Sequence, residues 1–296
     1  MDYKEDGDEK MKKAVLLIIM SMIFAGCAQK TNTVSTDRSS KEVSKESAMS
    51  EDKDITVGSK TDRGMIVDNV YHDDKQGDIH FSSYFPDDYD GNEEYALFVT
   101  NPGWEGEYPQ GLGNNLGEDF PFEARKYNDR MIILSTQLND WGNTSALDSL
   151  ALIHHFIDHY AIDKNRIYLH GYSGGGETGS LMLGMEPELF AGVLLNSTQW
   201  DSDIEPLVNA ETPLRLAVGE DDSYYGSEPL KKAYQNIHDA YVKKGLSEEE
   251  INKILVLDVK PRSWFTERGY SDEHDGGNAF AKDAETMQWL FSQVKQ

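Results

Sequence analysis

The stretch Ile167-Tyr168-Leu169-His170-Gly171-Tyr172-Ser173-Gly174-Gly175 constrains the fold of this chain more than any other segment. An apolar, strand-like run leads directly into Gly-x-Ser-x-Gly, and a helical pattern over residues 176–185 begins at once. A strand that turns into a helix within so few residues strains the backbone at the serine, so its flanks at Gly171 and Gly175 have to be small. The turn lifts the Ser173 hydroxyl above the end of a sheet. The plain alternative is a glycine-rich turn with no chemistry, and the rest of the chain weighs against it.

Short runs rich in β-branched and aromatic residues alternate with longer helical patterns. Residues 65–71 and 79–85 read as an opening antiparallel hairpin, followed by strands at 95–100, 131–135, 167–170, 193–196, 214–218 and 254–259. Helices fit between them at 144–160, where Leu147, Leu150, Ala151, Ile153 and Ile157 recur at helical spacing, and at 176–185, 228–244 and 279–294. The alternation predicts an α/β fold, a single mixed and mostly parallel eight-stranded sheet flanked by helices. Only about sixteen residues separate the strand at 193–196 from the next, which leaves room for no more than a minimal cap. A length of 296 residues with 38% hydrophobic content suits one well-buried domain.

The N-terminus is organised differently. Lys12-Lys13 precede an apolar run at 14–24 that ends in Ala25-Gly26-Cys27, the anatomy of a signal peptide. The run falls well short of the roughly 20 residues a membrane-spanning helix needs. Its end resembles the lipobox of bacterial lipoproteins, which implies lipidation of Cys27, although Phe24 stands where that family has an aliphatic residue. Cys27 is the one cysteine of the chain, so an internal disulfide and a cysteine-based zinc site are both excluded. Residues 1–26 are therefore expected to be a signal peptide, with Met11 as an alternative start because residues 1–10 are acidic. Residues 27–61, rich in Ser, Thr, Lys and acids, are expected to form a disordered tether, and residues 62–296 the catalytic domain. The expected location is the extracytoplasmic face of a bacterial membrane, which the lipid anchor engages. A net charge of −25 repels phosphate backbones, so nucleic acid is not an expected partner.

A serine hydroxyl needs a neighbouring base to become a nucleophile. Two late loops carry the necessary groups in the order Ser, Asp, His: Gly219-Glu220-Asp221-Asp222 after one strand, and Glu273-His274-Asp275-Gly276-Gly277 after the last. With these motifs the sequence from about residue 65 onward resembles the α/β-hydrolase superfamily. More narrowly, it is similar to lid-poor bacterial esterases and stand-alone catalytic domains of prolyl oligopeptidase type. The resemblance implies Ser173 as nucleophile, His274 as general base and then acid, and Asp222 at the Gly-x-x-Asp position as the orienting carboxylate, with Asp221 as its rival. It also implies an oxyanion hole built from the Gly174 N–H and one from Gly103 or Trp104, in a loop where Asn101-Pro102 replaces the family's usual His-Gly. Trp104, Tyr172, Tyr224 and Tyr225 are candidates for the substrate pocket, with simple packing as the alternative for Trp104 and for the Tyr224-Tyr225 pair.

The other histidines invite simpler readings. His155 and His159 have the i,i+4 spacing of a zinc pair, but Phe156 stands where a zinc protease would carry its glutamate, and His154 adds nothing to the pattern. No metal and no cofactor are expected. His170 is aimed away from Ser173 by the strand direction and is expected to be structural. The expected activity is hydrolysis of carboxylic esters of small molecules, carbohydrates or peptides through an acyl-enzyme. A serine peptidase of prolyl oligopeptidase type is the alternative, and a non-catalytic binding lipoprotein the second.

Overall fold

Alternate residues of the strand Tyr95–Asn101 enter two separate apolar clusters, Leu97 and Val99 in one and Ala96 and Phe98 in the other. Side chains along a strand alternate between faces, so this strand lies in a sheet buried on both sides. The computed structural model describes residues 49–295. Among them the strands are β1 (Ile55–Thr56), β2 (Lys60–Asp62), β3 (Met65–Asp73), β4 (Gly77–Tyr84), β5 (Tyr95–Asn101), β6 (Met131–Thr136), β7 (Ile162–Tyr172), β8 (Gly192–Asn196), β9 (Leu214–Gly219) and β10 (Leu255–Lys260). They form one sheet in the order β1-β3-β4-β6-β5-β7-β8-β9-β10, with β2 paired to β3. Pairing is parallel from β6 to β10 and antiparallel through β1 to β4 and on to β6. The sheet is mixed and mostly parallel, flanked by helices, as the alternation of patterns predicts.

All eight expected strands are present, and the described residues add two more. β1 and β2 are too short, at two and three residues, for alternation to be visible. Their presence corrects the expected boundary between tether and domain at residue 62. Met49 and Ile55 are buried in the core, and Asp52 Oδ2 accepts hydrogen bonds from His155 Nε2 at 2.7 Å and the Tyr160 hydroxyl at 3.0 Å. The polar average of residues 27–61 conceals these anchors at its C-terminal end. The signal sequence, the lipidation site Cys27 and the rest of the tether lie outside the described residues.

The helix Asn143–His159 packs Leu150, Ile153 and Phe156 on the sheet, whereas Leu147 from the expected apolar stripe is exposed. The expected helix over 279–294 is two elements, a 3-10 segment Asp275–Lys282 and an α-helix Ala284–Ser292. Asp283 divides them by capping the second, accepting from the Thr286 N–H at 3.3 Å and its hydroxyl at 2.7 Å. Further short helices at Glu205–Ala210, Glu248–Ile254 and Arg262–Thr266 were not apparent from periodicity. Glu248–Ile254 does carry a readable signal, the capping box of Ser247 and Glu250.

Register aligns the carboxyl ends of the central strands. Asn101 pairs with Gly171, Tyr172 with Asn196, and Gly219 with Lys260. The loops leaving β5, β7 and β9 therefore emerge along one edge, the usual position of a site in an open α/β sheet.

Candidate active site

Ser173 follows β7 with φ 54° and ψ −125°, and the helix Gly174–Met185 starts at the next residue. Holding a non-glycine residue there costs roughly 1–3 kcal/mol, which the surroundings offset. The Ser173 N–H donates to the Asn196 carbonyl at 3.1 Å, and Thr198 Oγ1 donates to the Ser173 carbonyl at 2.6 Å. A Cβ at Gly171 would lie 2.5 Å from the Gly175 carbonyl oxygen, and one at Gly175 would lie 2.2 Å from that of Asn101. Both positions are closed to any side chain, because the opposing atoms are backbone.

His274 and Asp222 meet the serine from two other loops. Ser173 Oγ lies 3.0 Å from His274 Nε2, and His274 Nδ1 lies 3.0 and 3.2 Å from the two carboxylate oxygens of Asp222. Asp222 is buried, and its Oδ1 also accepts from the N–H groups of Tyr224 at 3.0 Å and Tyr225 at 2.9 Å, which fixes the carboxylate plane. Asp221 is exposed and takes no part, its N–H donating to Glu273 Oε2 at 2.7 Å. The histidine loop is itself held at both ends. Asp272 Oδ1 accepts the His274 N–H at 2.8 Å, and the Tyr172 hydroxyl donates to the His274 carbonyl at 2.7 Å.

The expected oxyanion donors are placed unequally. Gly174 is the first residue of its helix, a position whose N–H an α-helix leaves unpaired. The Gly103 N–H is already committed to Glu118 Oε1 at 2.7 Å, which leaves Trp104 as the remaining candidate in the β5 loop. Glu118 was missed in the sequence because nothing marks a residue fifteen positions away as the one that folds beneath this loop. Asn101, the departure from the family pattern, is buried and structural, its Oδ1 accepting from Thr136 Oγ1 at 2.8 Å.

A cleft of about 580 Å³ opens over Ser173 and His274, within the range of small-molecule sites. Trp104, Tyr172, Tyr224 and Tyr225 all line it, joined by Trp141 and Tyr270, which the sequence did not single out. Trp141 has a second use: a Cβ at Gly174 would sit 2.3 Å from its ring. The Tyr225 hydroxyl donates to Glu177 Oε1 at 2.7 Å. Burial raises the Glu177 carboxyl above its usual range and drives the Tyr172 and Tyr225 phenols upward, so both phenols keep their protons as donors.

His170 stays outside the cleft. Its ring stacks on Phe120 at 3.6 Å and hydrogen-bonds Thr100 Oγ1 at 2.7 Å and Asn196 Oδ1 at 2.8 Å, and burial pushes it down to about 3. An imidazole so depressed is uncharged and braces the strand ends. His154 contacts Glu186 and His155 contacts Asp52. Asp54, His155 and His159 offer ligand atoms within 4.8 Å of one another, but His155 Nε2 is engaged by Asp52 and His159 Nδ1 by the His155 carbonyl.

The model of the prolyl oligopeptidase family matches residues 135–224, a span from the end of β6 to just past Asp222. Among solved structures, a thermostable esterase superposes with a TM-score of 0.64 at 19% identity, covering 78% of this chain and 64% of its own. Oligopeptidase B from Leishmania major gives 0.51 at 12%, covering 77% and 36%, so this chain spans about a third of that protein. LpqC, a poly(3-hydroxybutyrate) depolymerase from Bordetella parapertussis, gives 0.53 at 15%, covering 80% and 93%. No curated protein matches in sequence.

Proposed function

This chain has the α/β-hydrolase fold, and from that premise we propose that it is a serine hydrolase that cleaves carboxylic esters through an acyl-enzyme on Ser173. One observation carries the reading: Ser173 Oγ lies 3.0 Å from His274 Nε2 while both oxygens of Asp222 face Nδ1. With Nδ1–H directed at the carboxylate, the Nε2 lone pair faces the hydroxyl and accepts its proton as Oγ attacks the ester carbonyl. The tetrahedral oxyanion is met by the N–H groups of Gly174 and Trp104. His274 then protonates the departing alcohol, and a water activated by the same nitrogen releases the acid.

Esters are preferred to amides because the cleft is open. Between β8 and β9 the chain adds a single short helix, Glu205–Ala210, and amide cleavage demands closer positioning and firmer protonation of a poor leaving group. The same openness supplies no tunnel for a long acyl chain, so each added methylene beyond the pocket recovers little of its roughly 0.8 kcal/mol. A peptidase of prolyl oligopeptidase type is the second reading, favoured by the family match over residues 135–224.

A fluorophosphonate probe should label the wild type and fail to label Ser173→Ala. Equal failure on both would leave a binding lipoprotein as the better reading. Comparison of kcat/KM on aryl acetate, butyrate and palmitate against dipeptidyl arylamides then separates esterase from peptidase, and arylamide turnover equal to that of the esters would reverse the choice. We further propose that Cys27 is lipidated and tethers the domain to the outer face of a bacterial membrane, since the short apolar run at 14–24 ends in Ala25-Gly26-Cys27. Fatty-acid labelling abolished by Cys27→Ala would support the anchor, and unchanged labelling would remove it.

A further inference from the structure

The three loops that bring Ser173, Asp222 and His274 together are also tied to one another in pairs. Tyr172, beside the serine, donates its hydroxyl to the His274 carbonyl at 2.7 Å, which joins the serine turn to the histidine loop. Ser223 Oγ donates to Asp272 Oδ1 at 2.9 Å, and the same oxygen accepts the His274 N–H at 2.8 Å, which joins the acid loop to the histidine loop. The third side of this triangle is Tyr225 with Glu177. Glu177 lies one helical turn after Ser173, its N–H directed at the Ser173 carbonyl at 3.3 Å, and its Oε1 accepts the Tyr225 hydroxyl at 2.7 Å.

This third tie bears most directly on the carboxylate that faces His274. The Tyr225 N–H donates to Asp222 Oδ1 at 2.9 Å, so the residue that Glu177 holds by its side chain holds Asp222 by its backbone. Packing adds little to the turn. Ser223 and Tyr224 are exposed, and a Cβ at Gly226 would meet nothing within 4 Å, so hydrogen bonds rather than buried neighbours fix residues 223–226. Tyr225 lines the cleft with its ring 5.6 Å from that of His274, whereas Glu177 does not line it.

Resting on the ester-hydrolase reading above, we infer that Glu177 and Tyr225 are positioning residues for the reaction: Glu177 fixes the Tyr225 hydroxyl, and Tyr225 thereby fixes the plane in which Asp222 meets His274 Nδ1. The hydrogen bonds run from Ser173 Oγ through His274, Asp222, Tyr225 and Glu177 back to the Ser173 carbonyl. A loss at Glu177 is therefore felt at the imidazole although Glu177 is remote from the substrate. Burial keeps the Tyr225 phenol protonated, as a donor to Glu177 must be.

Tyr225→Phe, Glu177→Ala, their double variant and Glu177→Gln test this on an aryl acetate. Tyr225→Phe keeps the ring and the backbone N–H and loses only the tie. It and Glu177→Ala should each lower kcat by about tenfold to thirtyfold with KM within about twofold, since a misplaced imidazole slows proton transfer and leaves binding alone. The double variant should fall no more than about twofold below either single one, because both remove the same hydrogen bond. Glu177→Gln, whose amide oxygen still accepts from the tyrosine, should return kcat to within about threefold of wild type. A brace that served folding alone would lower the melting temperature and leave kcat, measured well below the melt, untouched. Single variants with wild-type kcat, losses that multiply, or a Gln variant as impaired as the Ala variant each overturn the inference. Fluorophosphonate labelling of wild-type Ser173 distinguishes the failures: labelling together with unimpaired variants removes only the positioning role, whereas absent labelling removes the hydrolase itself.

Discussion

Asp222 presents both carboxylate oxygens to His274 Nδ1, at 3.0 and 3.2 Å, while Asp221 beside it points its side chain into solvent. Two adjacent residues of one type thus have opposite prospects. Asp222→Asn should lower kcat by about 10³ to 10⁴, because an amide facing Nδ1 favours the wrong imidazole tautomer. Asp221→Asn should stay within about threefold of wild type. Steady-state kinetics on an aryl acetate checks the ranking, and the reverse order would move the role to Asp221.

In the proposed mechanism Ser173 and His274 act on one proton, so their removal should not compound. Each alanine variant is expected to lose about 10⁴ to 10⁶ in kcat, and the double variant hardly more. Losses that multiply would mean that the two side chains serve separate steps.

Glu118 links the cleft to pH. An acid whose folded value is raised binds its proton more tightly in the folded state, so its share of stability is complete below the ordinary value of 4.5 and is lost as pH climbs toward about 8. Glu118→Gln has no proton to lose. Thermal melts should show the variant about 3–8 °C more stable relative to wild type at pH 9 than at pH 5. A difference that does not change with pH would show that the carboxyl is not held protonated.

Met49, Asp52 and Ile55 predict what happens when the chain is shortened. A protein begun at residue 49 should melt like the full domain, whereas one begun at residue 62 gives up two buried apolar side chains and the partner of His155. The expected loss is about 3–6 kcal/mol by urea unfolding. Equal stability of the two would return residues 49–61 to the tether.

The fold was legible wherever its cause is local. The strand into Gly171-Tyr172-Ser173 carries its own turn chemistry, and the runs that became β5 to β10 announce buried strands by composition alone. The loops bearing Asp222 and His274 could be found by chain order once the serine was placed. What stayed hidden depends on distant partners. Nothing near Gly103 says that Glu118 occupies its N–H, and nothing near residue 52 says that His155 waits for its carboxylate. Asp222 already ranks above Asp221 by its Gly-x-x-Asp position, and it is the Asp222 carboxylate that faces His274 Nδ1. The break in the final helix is local: Asp283 caps the second element, and an aspartate inside an apolar periodicity carries no mark that separates a cap from one more exposed polar position.

The glycines around Ser173 have a consequence for how this protein can change. Side chains at Gly171 and Gly175 would strike backbone, and one at Gly174 would strike Trp141, so the machinery that makes the nucleophile is frozen against mutation. Trp104 and Tyr224, by contrast, stand at the mouth with most of their surface in solvent. Variation, natural or directed, can therefore reach new substrates through the rim while the nucleophile and its surroundings stay fixed, and a library built on rim positions should hold far more active members than one built on the turn.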